Sequence, residues 1–173
     1  MSNDVSRRGL AAVGVATLAV AWAGWLVATP VVAAASPSGA ALVAVAATYR
    51  AGSLICHQQA DRSFHIGDVQ TPVCARCVGL YGGAAIGAII GLSGWVRRRS
   101  RRADGSPVLP TVLLGAAVPT VALWALEHIV GVDISNGVRC AGAVPLGAAV
   151  AWFVVAWVAG APFDDNAARS AIH

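Results

Sequence analysis

The chain has 173 residues, of which 57% are hydrophobic and only 12% charged, with a formal net charge of +4 and a mean hydropathy of +0.69. So apolar a composition excludes an ordinary soluble domain and a disordered chain, and it assigns the positive charge to membrane-flanking loops rather than to a nucleic-acid surface. Apart from histidine, every basic residue is arginine, which reads as codon bias towards Ala, Gly and Arg.

The first apolar segment, residues 10–29, "LAAVGVATLAVAWAGWLVAT", follows Arg7 and Arg8 and is long enough to cross a bilayer. A cleaved signal peptide is the rival reading, because "VVAAASPS" offers small-residue cleavage sites. The apolar core of a signal peptide usually runs about 7–15 residues, so this longer one favours a retained anchor. Next comes residues 39–55, where Pro37 and Ser38 suit a helix start and the run is apolar apart from Thr48, Tyr49, Arg50 and Ser53. With Arg50 inside it, this helix is expected to lie in the outer interface or dip into the bundle without crossing.

Residues 56–77, "CHQQADRSFHIGDVQTPVCARC", then gather Cys56, Cys74 and Cys77 with His57 and His65. The second span, residues 78–96, follows directly. Gly79, Gly83, Gly87 and Gly91 recur every four residues along it. They form a smooth ridge for a helix seam, either within the bundle or in a homo-oligomer or with a membrane partner. Tyr81 and Trp95 sit near its two ends as interface aromatics.

The arginine run "RRRSRR", residues 97–102, comes next, then a third span at residues 108–130 containing Pro110 and Pro119. A turn, "HIVGVDISNGVRC", leads to the fourth span at residues 140–163, and "FDDNAARSAIH" reads as a short polar tail. Arg7, Arg8 and the 97–102 run outnumber Arg50, Arg62, Arg76 and Arg139 on the opposite side. The positive-inside rule therefore places both termini in the cytoplasm and the Cys/His loop, residues 36–77, outside the cell membrane. The expected fold is a single all-α domain, residues 1–173, built as an integral membrane bundle of four spans plus the short helix before Cys56.

That topology brings the cysteine loop and the turn after the third span to one face, where Glu127, His128, Asp133, Asn136, Arg139 and Cys140 can converge with it. Ionisable groups at or inside spans default to functional hypotheses. Glu127 and His128 are equally readable as interfacial residues, and Arg139 as an anchor or as a partner of Glu127 or Asp133. Cys74-Ala-Arg-Cys77 lets two sulfurs face one point, as zinc sites and dithiol redox centres both require. Adding Cys56 and one imidazole completes a familiar tetrahedral zinc set. His57 and His65 compete for the fourth place, or water takes it, which suits a catalytic ion.

Two other readings stay open. Oxidation on the outer face and Arg76 between the cysteines favour a thiol–disulfide redox centre, as in four-helix oxidoreductases of the vitamin K epoxide reductase kind. A structural disulfide would simply tie down the loop. Cys140 reads as a small buried residue.

The motifs "SLICHQ", "RSFHIG", "PVCARCVGLYGG" and "DISNGVRCAGAVPLG" resemble the signature of a family of small prokaryotic multi-span membrane proteins known only as a domain of unknown function. The resemblance covers about residues 53–148. It carries over to Cys56, His57, Gln58, Arg62, Ser63, Phe64, Gly67, Pro72, Cys74, Arg76, Cys77, Gly79, Tyr81, Ser135, Asn136, Arg139 and Gly142.

His65 lies outside that pattern, so the resemblance favours His57 as the ligand. The family places Asp-Gly and a Gln in the third span, where this chain has Leu123, Trp124 and Glu127. The departure argues against a polar role for that helix at Leu123. No reaction comes with the resemblance.

The sequence thus predicts a membrane protein with an outward Cys/His site for zinc or a similar soft divalent cation. Its ligands would be Cys56, His57, Cys74 and Cys77, with Gln58, Arg62, Arg76, Tyr81, Glu127, His128, Asn136 and Arg139 as supporting or substrate-binding groups. The ligand set suits metal-assisted hydrolysis at the membrane surface. A quinone-linked thiol oxidoreductase and a non-catalytic partner subunit are the alternatives. The bilayer is the expected partner and nucleic acid is not.

Overall fold

A computed structural model of the chain describes residues 2–93 and 108–159. Among them are five helices: α1 (Ser2–Ala34), α2 (Gly39–Ile55), α3 (Ala75–Leu92), α4 (Val108–Ala125) and α5 (Asn136–Val158). Four stretches are long and apolar enough to cross a membrane: Ser6–Ala34, Ala75–Leu92, Thr111–Val130 and Asn136–Val158. This is the all-α membrane bundle that the hydropathy predicts, with α2 the shorter apolar helix before Cys56. The arginine run at 97–102, Trp95 and the tail beyond residue 159 lie outside the described residues.

The glycine ridge settles how the bundle packs. A Cβ at Gly79, Gly83 or Gly87 would collide with the backbone carbonyls of Cys140, Val144 and Ala148 respectively, and one at Gly147 with that of Leu80. Only glycine lets two backbones approach so closely, so the ridge is taken up inside the chain, against α5. The matched steps of four also show that α3 and α5 run in the same direction. α4 must therefore return between them, and it packs on the other side of α5, where Leu123 covers Gly142.

Against α3 lies α1, antiparallel. Leu26 clusters with Cys74, Trp22 packs on Tyr81, and Ala12 and Ala16 cluster with Ala88 at the far end. Helix α2 is tied to α1 by Trp25 Nε1, which donates to Thr48 Oγ1 at 2.7 Å. Of its 17 residues only Val45, Thr48 and Gly52 are buried.

Two boundaries differ from the sequence reading, and the third span ends at Val130 as read but with a changed last turn. The second span begins at Ala75, so Cys74 caps α3 and Cys77 belongs to its first turn. Extended backbone at Cys74, right after Pro72 and Val73, delivers the chain straight into the helix. The fourth span begins at Asn136 instead of residue 140, because Ser135 Oγ accepts from Val138 N at 3.4 Å and starts the helix there. The third ends in a wide π turn, Leu126–Val130, closed by Gly131 at φ 76°.

Candidate metal centre

The cysteine loop is a small folded unit held by amides. A hairpin pairs β1 (His65–Ile66) with β2 (Val69–Gln70) around Gly67, at φ 60°. Gln58 adopts a left-handed φ of 47°, unusual for a residue with a Cβ and held only by strong local bonding. Its Nε2 donates to Tyr49 O at 2.9 Å and to Pro72 O at 2.6 Å, joining the end of α2 to the segment entering α3. Gln70 Nε2 donates to Gln58 O at 2.8 Å and to Ser63 Oγ at 3.1 Å. Tyr49 donates its hydroxyl to Gln70 O at 2.5 Å, and burial raises that phenol above its ordinary pKa. Gly52 completes the joint: a Cβ there would strike Pro72 O.

This bracing carries Cys56, the last cap of α2, onto Cys74 and Cys77 at the start of α3. One sulfur from each of the three lies within 4.8 Å of the others. Cys74 N donates to Cys56 Sγ at 3.2 Å, and a backbone N–H to sulfur is a feature shared with thiolate ligands. Cys56 and Cys74 are buried, Cys77 partly so. They share an apolar cluster with Leu26 and Val73, edged by Trp22, Val78 and Tyr81. The Cys74 thiol is brought down to about 5, chiefly by the hydrogen bond from the Cys77 side chain, with burial acting in the opposite direction.

In a tetrahedral zinc site with Zn–S bonds of about 2.3 Å the sulfurs stand about 3.8 Å apart. A spread of up to 4.8 Å thus closes onto an ion with shifts of about 1 Å or less, within the reach of side-chain rotation. Three close cysteines, then, could hold a metal ion. His57 stands beside them, exposed, with Nδ1 3.8 Å from Cys56 Sγ. His65 is exposed on β1. Cys140 sits apart in the α3–α5 seam, its carbonyl against Gly79.

The charged residues form a second cluster. Glu127, whose side chain is only 3% exposed, accepts from Arg76 Nη2 on one oxygen and from Arg139 Nε on the other. Arg139 Nη1 also donates to Asn136 Oδ1 at 2.8 Å, and its Nη2 reaches Asp133 at 3.5 Å. Asn136 Nδ2 donates to the carbonyls of Asp61 at 3.2 Å and Ser63 at 3.0 Å, in the cysteine loop. The turn after the third span is thus bonded to the loop, as its place on the same face leads one to expect. Glu127 itself lies in the π turn, Leu126–Val130, and from there meets Arg76 of α3 and Arg139 of α5.

The remaining expected residues are placed differently. Arg62 pairs with its neighbour Asp61 at 3.8 Å. His128 stacks on Trp124 with ring centroids 4.8 Å apart and donates from Nδ1 to Trp124 O at 2.9 Å, along its own helix. Tyr81 meets Trp22 edge-on with centroids 6.2 Å apart. Sequence reasoning missed Gln70, Gly52, Trp22 and Leu26. The first pair looks like ordinary loop and helix residues, and the second pair lies in a span whose apolar composition hides which side faces the cysteines.

Fold and site together define a helical membrane protein of four apolar spans, with three cysteines gathered at the junction of α2 and α3. A family model described as "Predicted membrane protein (DUF2085)" matches residues 56–153, from the first cysteine into α5. The chain belongs to that family, in agreement with the resemblance of its motifs. It is also similar to uncharacterized protein MJ1492 of Methanocaldococcus jannaschii, at 52% identity over 42 residues. That match covers 24% of this chain and 27% of the relative. No solved structure matches.

Proposed function

We propose that Cys56, Cys74 and Cys77 bind one soft divalent cation, zinc by preference, with His57 or water as the fourth ligand. The observation that supports this is the approach of three sulfurs from two separate chain segments to within 4.8 Å. Thiolates select soft or borderline ions, and three thiolates plus one imidazole or water is a familiar zinc set. An ion with water in the fourth place would supply an acidified nucleophile, so metal-assisted hydrolysis at the membrane surface is the reaction class we assign. In that reading Gln58 and Asn136 hold the loop that carries Cys56, and the Arg76–Glu127–Arg139 cluster fixes the helix that carries Cys74 and Cys77. The arginine distribution supports an outward site with cytoplasmic termini.

The test is metal analysis of protein purified without chelator, combined with thiol counting before and after chelation. We expect one metal per chain and three thiols that react only once it is removed. Metal-free protein with a reducible disulfide would overturn the reading. It would favour a quinone-linked thiol–disulfide oxidoreductase, a reading that draws on the placement of Cys74 and Cys77 at the start of a helix with a third thiol beside them.

A further inference from the structure

The chain has two tyrosines, and the fold uses them differently. Tyr49 donates its hydroxyl to Gln70 O and so braces the loop. Tyr81 makes no hydrogen bond among the described residues. Its ring is nevertheless fixed: it packs against the cluster of Leu26, Cys56, Val73 and Cys74, and Trp22 of α1 meets it edge-on. A phenol taken from water ordinarily finds a partner for its O–H, so a fixed ring with an unspent donor needs a reason.

An interface aromatic at the end of the span would have one. The span begins at Ala75, however, which puts Tyr81 six positions, about 9 Å, inside it. Long side chains on a helix lean towards its N-terminus and lie over the preceding turn. Tyr81 comes four residues after Cys77 and seven after Cys74, spacings that share one helix face. Its hydroxyl end is therefore carried back over Cys77 towards the sulfurs. Its packing against the cluster that holds Cys56 and Cys74 agrees with that direction. The glycine ridge occupies the other side of α3, against α5.

Access points the same way. Val73 and Ala75 are 0% exposed, and Cys56 and Cys74 are buried, whereas Cys77 and Tyr81 are only partly buried. A molecule exchanging at an ion held by the three sulfurs would thus meet, on this partly open side, a phenolic O–H with no other commitment.

We propose that the Tyr81 hydroxyl donates a hydrogen bond to the oxygen ligand in the ion's fourth position, whether water, hydroxide or an anionic oxygen of a substrate. Hydrogen bonds to charged oxygen are the strong ones. Tyr81 therefore selects oxygen ligands, anionic ones most, over nitrogen ligands that have no lone pair left to accept. In metal-assisted hydrolysis the same donor would meet the oxygen on which negative charge builds. The inference rests on the metal reading and adds to it the class of ligand that the exchangeable position takes.

The test uses the full chain in detergent, loaded with cobalt. His57→Ala serves as background, so that the fourth position is open whichever of His57 or water normally fills it. Acetate and imidazole are titrated in as probes and followed by the ligand-field bands. Bound acetate keeps lone pairs free to accept, whereas bound imidazole has only an N–H left. Tyr81→Phe keeps the ring and its contact with Trp22 and removes only the donor. It should weaken acetate binding about ten-fold, the loss of one hydrogen bond to a charged group, and leave imidazole binding and cobalt affinity unchanged. A merely structural role for Tyr81 would move both probes together.

Equal acetate affinity with and without the hydroxyl, or equal losses for acetate and imidazole, would overturn the proposal and leave the metal reading standing. A chain that takes up no cobalt would overturn the metal reading, and this inference with it.

Discussion

The first turn of α3 has two faces that differ in kind. Cys74 and Cys77 turn towards Cys56, Leu26 and Trp22, forming a soft, apolar pocket. Arg76, between them in sequence, turns the other way to Glu127, which also takes Arg139. One side gathers three sulfurs close enough to hold an ion, and the other joins α3 and α5 to the turn that ends the third span. Four consecutive residues, Cys-Ala-Arg-Cys, therefore serve both the site and its foundation. The comparison teaches that charge near a candidate site need not belong to its chemistry.

If that division is right, the two faces will fail differently. Glu127→Gln removes the carboxylate shared by the buried Arg139 and the half-buried Arg76, leaving Arg139 only its long contact to the exposed Asp133, and breaking such a network costs about 3–5 kcal/mol. Equilibrium unfolding in detergent should show that loss. Cys74→Ser, compared in chelator-treated protein, should cost only about 1–2 kcal/mol for a buried hydroxyl in place of a thiol, yet abolish metal binding. Comparable stability losses from both substitutions would erase the distinction. The next largest effect is expected at the seam that supports both faces. Gly87→Val places atoms against the carbonyl of Ala148 and should cost about 1–3 kcal/mol by forcing α3 from α5.

How much of this was legible in the sequence follows from physical range. Spans and the glycine ridge are short-range patterns, read from hydropathy and a period of four, and the structure reproduces them. The CxxC pair and Cys56 stand out because three cysteines and two histidines in 22 residues are rare in so apolar a chain. Their convergence is not legible, since it depends on Gln58 adopting φ 47° and bonding Pro72 O from 14 positions away. The α1 wall of the pocket is equally hidden. Trp22 and Leu26 are two apolar residues among many, and only helix packing selects them. Glu127 was readable as functional or as interfacial and as one of two partners for Arg139, which the structure pairs with it, whereas its second pairing, with Arg76 from 51 positions away, leaves no local pattern in the sequence.

Asn136 offers a finer test of how the two faces communicate. It donates to Asp61 O and Ser63 O in the loop while accepting from Arg139, so it bonds both the ion cluster and the loop bearing Cys56. Asn136→Ala should weaken metal affinity about ten-fold, the lower end of the roughly 10–100-fold effects of groups that orient ligands. Competition against a metal-binding dye would measure it. Affinity unchanged within error would mean that the loop is held by Gln58 and Gln70 alone.

The smallest expected difference separates the two histidines. His57 follows Cys56 directly and lies 3.8 Å from its sulfur, yet it is exposed, so water can replace it as a ligand at little cost. His65 is exposed on the hairpin, opposite Gln70. His57→Ala should therefore lower metal affinity by a factor of about three to ten, less than loss of any cysteine, because only one of four bonds passes to solvent. His65→Ala should leave affinity unchanged. A cobalt-substituted protein gives the sharper readout, since its visible spectrum reports the donor set. Replacing the His57 imidazole by water should shift the ligand-field bands while His65→Ala leaves them in place. The reverse pattern would make His65 the ligand and require the hairpin to fold over the sulfurs.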